Sequence, residues 1–137
     1  GQALQCYRRG CDASAWTYYQ RSAVSNPSNL EALTAGTDTS WTDVPLASLV
    51  PPHARMVEVE VEVVTSSGGT GGVDLRTKGA AVGAQTYTLT GEAIASTVQT
   101  FRGVVRMFVN ASQVIQYRRS GGTYGGAITL RVIGYQG

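Results

Sequence analysis

Residues 56–65 read MVEVEVEVVT, with Val57, Val59, Val61 and Val63 alternating with Glu58, Glu60 and Glu62. A period of two places successive side chains on opposite faces of an extended chain, so one face is apolar and the other acidic. The stretch predicts a β-strand with its valines in a core. A ten-residue run of this kind needs partner strands to bury that face, which directs attention to what lies on either side.

Downstream, the Gly-rich SSGGTGG of residues 66–72 leads into VDLRTK, where Val73, Leu75 and Thr77 share one face and Asp74, Arg76 and Lys78 the other. This predicts a β-hairpin, with Arg76 or Lys78 set opposite the glutamates in cross-strand pairs of roughly 0.2–1 kcal/mol each. Four more β-segments follow: QTYTLT (85–90), VQTFRGVVRMFVN (98–110), VIQYRR (114–119) and AITLRVIGY (127–135). NASQ and SGGTYGG separate the last three, and TGEAIASTVQT (90–100) has room for a turn of helix. Asn110-Ala111-Ser112 also matches a glycosylation triplet, but a hairpin turn is the simpler reading because Asn tolerates positive φ.

Upstream, WTDVPLASLVPP is punctuated by Pro45, Pro51 and Pro52. Proline donates no backbone hydrogen bond, which restricts this segment to a sheet edge. Residues 1–40 read as a distinct N-terminal region, packed on the same domain and suited to an attachment arm. In it Trp16, Tyr18 and Tyr19 suggest one β-segment. Ser28, three before Glu31, suggests a capped helical turn. Residues 41–137 form the sandwich proper. The fold expected is all-β, an antiparallel β-sandwich or jelly roll of about seven or eight strands, with turn signals every 8 to 12 residues.

Composition agrees. The 137 residues are 42% hydrophobic and 15% charged, with 17 glycines and 7 tyrosines, enough for one ordinary core without metal or disulfide staples. A net charge of +2, with basic residues scattered, argues against nucleic acid as a partner. No window approaches the 18 or so apolar residues of a membrane helix, so no membrane insertion is expected. The start at Gly1 fits a processed product or a domain cut from a longer chain. Cys6 and Cys11, with four residues between them in CYRRGC, read as a small disulfide loop or as two free thiols. Two thiols and the distant His53 do not make a metal site, and no cofactor is expected.

Catalysis requires convergent groups. Glu58, Glu60 and Glu62 line up roughly 6.5–7 Å apart on one strand face, near the spacing of a glycosidase pair. Nothing else in the sequence supplies a sugar-distorting cleft. A charged face paired with Arg76, Arg118 or Arg131, within the chain or between subunits, is therefore preferred, and no enzyme is expected. GGTGG lacks the Lys-Ser/Thr of a phosphate loop. Binding is better supported. Tyr124, at the tip of SGGTYGG, offers a rigid aromatic face to a sugar or a protein. Trp16, Tyr18, Tyr19 and Trp41 are alternative platforms, although aromatics at strand positions more often pack in the core.

The stretch WTDVPLASLVPPHARMVEVEVEVV, the Gly/Ser connection, VDLRTKG and the closing AITLRVIGY together resemble β-sandwich domains of tailed-bacteriophage virion proteins, of the tail-fibre tip or capsid decoration kind. The resemblance covers about two thirds of the chain. It implies a non-enzymatic, extracellular virion protein, commonly a homotrimer, that contacts other virion proteins and, in a fibre tip, a bacterial surface glycan or protein. Capsid decoration (cement) is the alternative within that family. Outside it, a monomeric carbohydrate-binding module is the alternative.

Overall fold

The computed structural model describes residues 15–19, 30–65, 70–80, 87–92, 99–120 and 127–137. They form nine strands: β1 (Trp16–Tyr18), β2 (Glu31–Gly36), β3 (Thr42–Pro45), β4 (Met56–Thr65), β5 (Thr70–Thr77), β6 (Tyr87–Glu92), β7 (Gln99–Phe108), β8 (Val114–Ser120) and β9 (Ala127–Gln136). Two antiparallel sheets result. Sheet A runs β1-β9-β4-β7, with β2 also paired to β9; sheet B runs β3-β8-β5-β6.

The order follows one rule. Strands pair as β5 with β6, β4 with β7, β3 with β8 and β2 with β9, as if one long antiparallel ribbon had been rolled up. The seams where the roll meets itself are β4 with β9 and β5 with β8. Eight strands wound this way are a jelly roll, and β1 extends sheet A along the far end of β9.

The alternation in β4 drives the packing. Val57, Val59, Val61 and Val63 are buried, as are Ile128, Leu130 and Val132 of β9 and Met107 of β7. From sheet B they meet Val44, Val73, Leu75, Ile115 and Tyr117, while Leu46, Val50 and Ala54 of the β3–β4 connection complete the core. Each of these valine, leucine, isoleucine and methionine side chains contributes about 1.5–3 kcal/mol by leaving water. β3 is an edge strand, as its Pro45 requires. Tyr117 buries its hydroxyl beside Gly36, where an added Cβ would lie 2.5 Å from that oxygen, so only glycine lets β2 pass this close.

The connections differ from the sequence expectation. The Gly-rich stretch after β4 does not close a hairpin. β4 is hydrogen-bonded on both sides, to β7 and β9, and leaves no edge for β5, whose Val73 and Leu75 join the same core from the other sheet. Likewise the turn at 110–113 carries the chain from sheet A to sheet B rather than between paired strands. Its positive φ falls on Gln113, not on Asn110. Asn110 instead accepts the N–H groups of Ser112 and Val114 on its side-chain oxygen. Of the expected capped helical turn, Ser28 and Asn29 lie outside the described residues and Leu30 is in 3-10 conformation, but from Glu31 the chain is a strand: Glu31–Gly36 pairs with β9, and Glu31 reaches Arg131. Residues 16–18 and 31–36 thus belong to the same sandwich as residues 41–137, and with them the count rises to nine strands.

Candidate functional site

The outer faces of the two sheets hold most of the candidate residues. On sheet A, register aligns them in rows across the strands. Phe108, Met56, Gln136 and Trp16 form the first row; Arg106, Glu58, Gly134 and Tyr18 the second; Val104, Glu60, Arg131 and Glu31 the third; Arg102, Glu62 and Thr129 the fourth.

The glutamates of β4 are thereby flanked by arginines. Arg106 Nε donates to Glu58 at 2.8 Å and Arg102 Nε to Glu62 at 3.3 Å. Arg131 Nη1 reaches Glu62 at 2.9 Å and Glu60 at 3.3 Å, and its Nη2 reaches Glu31 at 3.2 Å. The two β7 arginines are largely exposed, so water screens these pairs. Arg131 differs, because its side chain is only 13% exposed and its buried Nε has no hydrogen-bond partner. Burial alone would lower its affinity for the proton, but bonding to Glu62 and the charges of Glu62, Glu31 and Glu60 outweigh that and hold the guanidinium charged. In turn, the hydrogen bond from Arg131, ahead of the charges of Arg131 and Arg102, holds Glu62 below the usual carboxylate range. A glycosidase acid must keep its proton near neutral pH; Glu62 is tuned the other way.

Of the expected partners of the glutamates, only Arg131 is one. Arg76 and Arg118 lie on sheet B, out of their reach, because β5 and β8 belong to the opposite layer. Lys78 is there too, paired with Asp43. Arg102 and Arg106 fill the vacated role. The signal for them was present: two arginines four residues apart on one strand match Glu58 and Glu62 four apart on an antiparallel neighbour.

Trp16 and Tyr18 project from the same face of β1, with ring centroids 6.2 Å apart and planes 19° apart. The Arg106 guanidinium sits 4.6 Å from the Trp16 ring and donates to the Tyr18 hydroxyl at 2.9 Å. Tyr18 lies against Gly134, where a Cβ would be 2.8 Å from its ring. Bonding to Glu58, then to Tyr18, raises the Arg106 pKa above its ordinary value. The Trp16 ring is thus already engaged by a cation whose charge Glu58 balances. Tyr19 is not a platform. Half-buried, it packs at 6.0 Å from Tyr135 and donates to the Leu49 carbonyl, and burial, with Tyr135 nearby, pushes its hydroxyl pKa up. His53 meets Tyr135 edge-on at 6.0 Å.

On sheet B, Trp41 stands just before β3 with Arg76 4.0 Å and Arg118 4.5 Å from its ring centroid. Beneath it runs a polar network. Arg76 Nε donates to Gln116 at 2.8 Å, and Gln116 Nε2 donates to Asp43 at 2.9 Å. Arg118 Nε donates to Asp74 at 2.8 Å, and Thr88 donates to the other oxygen of Asp74 at 2.9 Å. Bonds from Lys78 and then Gln116 lower the Asp43 pKa. Tyr124, Cys6 and Cys11 lie outside the described residues. Among the described residues, no three metal-ligating side chains come together.

An apolar cavity of about 100 Å³ opens between the edge strands β6 and β7, lined by Val61, Leu75, Tyr87, Leu89, Gly103 and Val105 among others. The chain matches no model of a known protein family and no curated protein.

Proposed function

We propose that this chain is a non-enzymatic binding and structural domain of a tailed-bacteriophage virion, acting as a receptor-binding fibre or tip domain in a homotrimer. The observation that carries this reading is the rolled-ribbon topology, an architecture that recurs in capsid and lectin domains. The segments that resemble virion domains are also the ones that build the roll. Leu46 and Val50 plug its end, and β4, β5 and β9 occupy interior sheet positions. Pairing of the sheet A carboxylates with arginines fits a surface that binds rather than one that transfers protons.

Light scattering on the purified protein is the first test, with a mass three times that of the chain expected. The second is adherence to a panel of bacterial strains, where saturable binding to some and not others is expected. A monomer that adheres to none would overturn the proposal. A monomer that binds neutral and acidic glycans alike would point to a carbohydrate-binding module. A trimer that binds capsids and no cells would point to decoration.

A further inference from the structure

We propose that the open edge of β7, with the apolar cavity beside it, is a docking site for an extended segment of a partner polypeptide. The segment adds a strand to sheet A, places one large aliphatic side chain in the cavity opposite Gly103 and sets a carboxylate against Arg102. The proposal goes beyond the receptor-binding reading and does not depend on it.

The case begins with a comparison of sheet edges. Backbone N–H and C=O groups along an edge recruit another strand unless the edge is short, bulged or broken by proline. β1 has three residues, β3 has four and contains Pro45, β6 has six, and the pairing of β2 with β9 shifts register twice. β7 has none of these protections. It runs ten residues without proline, holds unbroken register with β4, and among the described residues has no strand on its other side. The charges that would repel a neighbour, on Arg102 and Arg106, are balanced by Glu62 and Glu58. Val104 and Phe108 alternate with them on the same face, each 59% exposed, and exposed apolar side chains gathered on one strand mark a contact surface.

The cavity lies where an added strand would use it. Side chains directly opposite one another across a strand pair share a face, so a residue opposite Gly103 points between the sheets, the direction in which a Gly103 Cβ would meet Leu89. Gly103 contributes no side chain of its own there, and the cavity of about 100 Å³ that it shares with Val61, Leu89 and Val105 has room for one leucine or isoleucine. β4 shows the same solution on the other side of β7, with Val61 opposite Gly103, Glu62 opposite Arg102 and Glu60 opposite Val104. Arg102 has capacity for a second carboxylate. It is 62% exposed, and Glu62 lies nearer to Arg131, at 2.9 Å, than to Arg102, at 3.3 Å.

A second copy of this chain suits the edge poorly. Antiparallel pairing of β7 with another β7 sets arginine against arginine when centred on residue 102, 104 or 106. Centred on Gly103 it brings glycine to the cavity, and centred on Val105 it brings Met107, which is fully buried in its own core. A segment of a different polypeptide escapes both constraints. In antiparallel order its motif reads β-branched residue, large aliphatic residue, acid, opposite Val104, Gly103 and Arg102.

The probe is the peptide acetyl-Lys-Thr-Thr-Val-Leu-Glu-Thr-Thr-Lys-amide, titrated into the intact 15N-labelled protein. Saturable shifts of β6 and β7 amides are expected, with slowed hydrogen exchange at the β7 N–H groups that face away from β4. Changing the peptide's leucine to alanine should weaken binding about tenfold or more. Changing its glutamate to lysine should weaken it about threefold, less so in high salt. Arg102→Gln should remove the preference for glutamate and keep the preference for leucine, whereas Gly103→Val, which grows a side chain into the cavity, should remove the preference for leucine. Thermal midpoints check that both variants fold, and the exposed Arg102 variant decides the matter if Gly103→Val does not.

The proposal is overturned if the leucine and alanine peptides bind alike, if Arg102→Gln keeps the preference for glutamate, or if no shift saturates. It is overturned equally if the outward β7 amides are already protected in the free protein, which would assign the edge to another part of the chain or to a second copy.

Discussion

Replacing Arg131 with methionine removes the one cation that Glu31, Glu60 and Glu62 share, while keeping a side chain of similar length. Glu60 and Glu62 both accept from Nη1, at 3.3 and 2.9 Å, so their bonded oxygens lie no more than about 6 Å apart. At an effective dielectric of about 20, two unit charges at that separation repel by roughly 3 kcal/mol. The carboxylates are 14–22% exposed, and Arg102 still reaches Glu62, so some of that is relieved. A net loss of about 2–3 kcal/mol at pH 7 is expected, somewhat below the usual effect of stranding a fully buried charge. The pH dependence should then invert. In the native chain Glu62 is held below its ordinary value, so its contribution is present above the unfolded-state value near 4.3 and is lost as pH falls through the folded one. In Arg131→Met the crowded acids titrate above their unfolded values, so stability is lost as pH rises and regained on acidification. Urea unfolding at pH 7 and pH 4, with unchanged m-values, measures both effects. A loss under about 0.5 kcal/mol at pH 7, or native-like pH dependence in the variant, would refute the reasoning.

Tyr117→Phe removes a buried hydroxyl that donates to Asp38 at 2.5 Å and accepts from its N–H; a loss of about 1–2 kcal/mol in chemical denaturation is expected. Burial, then the bond to Asp38, raises the Tyr117 pKa, so its contribution is present below the unfolded value near 10 and lost as pH rises through the folded one. Ultraviolet titration should show one tyrosine ionising late, and that late step should vanish in the variant. Ala35 adopts φ 51° on an exposed stretch of β2. Ala35→Gly relieves that left-handed backbone at some entropic cost, and calorimetry should show a gain of about 0.5 kcal/mol rather than the usual loss. Gly103→Ala would place a Cβ 3.3 Å from Leu89. Because Leu89 borders the apolar cavity and has room to shift, a gain of about 0.5–1 kcal/mol is expected, and a drop in midpoint would show that the edge is already tightly packed.

How much of this was legible in the sequence depended on the range of the interaction. The valine–glutamate alternation of β4 reported both its strand character and its inward face, and Pro45 correctly marked an edge, because periodicity and a missing N–H act within a few residues. Pairing was not legible. A Gly-rich connection serves equally for a hairpin or for a crossing between layers, and what decides is whether β4 has a free edge, which depends on β7 and β9 some forty and seventy residues away. Assigning β5 to the wrong neighbour displaced Arg76 and Lys78 onto the glutamates and concealed Arg102 and Arg106. Trp16 and Trp41 were singled out as aromatic platforms, but their arginine neighbours come from β7, β5 and β8, strands distant in the chain.

The rolled ribbon also sets an order of assembly. Its paired strands grow steadily more remote along the chain: Gly72 and Thr90 are eighteen residues apart, Val61 and Gly103 forty-two, Val44 and Ile115 seventy-one, Leu33 and Leu130 ninety-seven. Each closure brings the next pair of segments nearer, so the roll is cheapest to form from its β5–β6 tip outward, and so many distant contacts place it among slow-folding topologies, in the millisecond-to-second range. During synthesis, sheet B has all four of its strands once β8 has emerged. Sheet A does not, because its interior strand β9 comes later. In that interval the valines of β4 lie beside an open edge, and the nascent chain is most exposed to pairing with a neighbour.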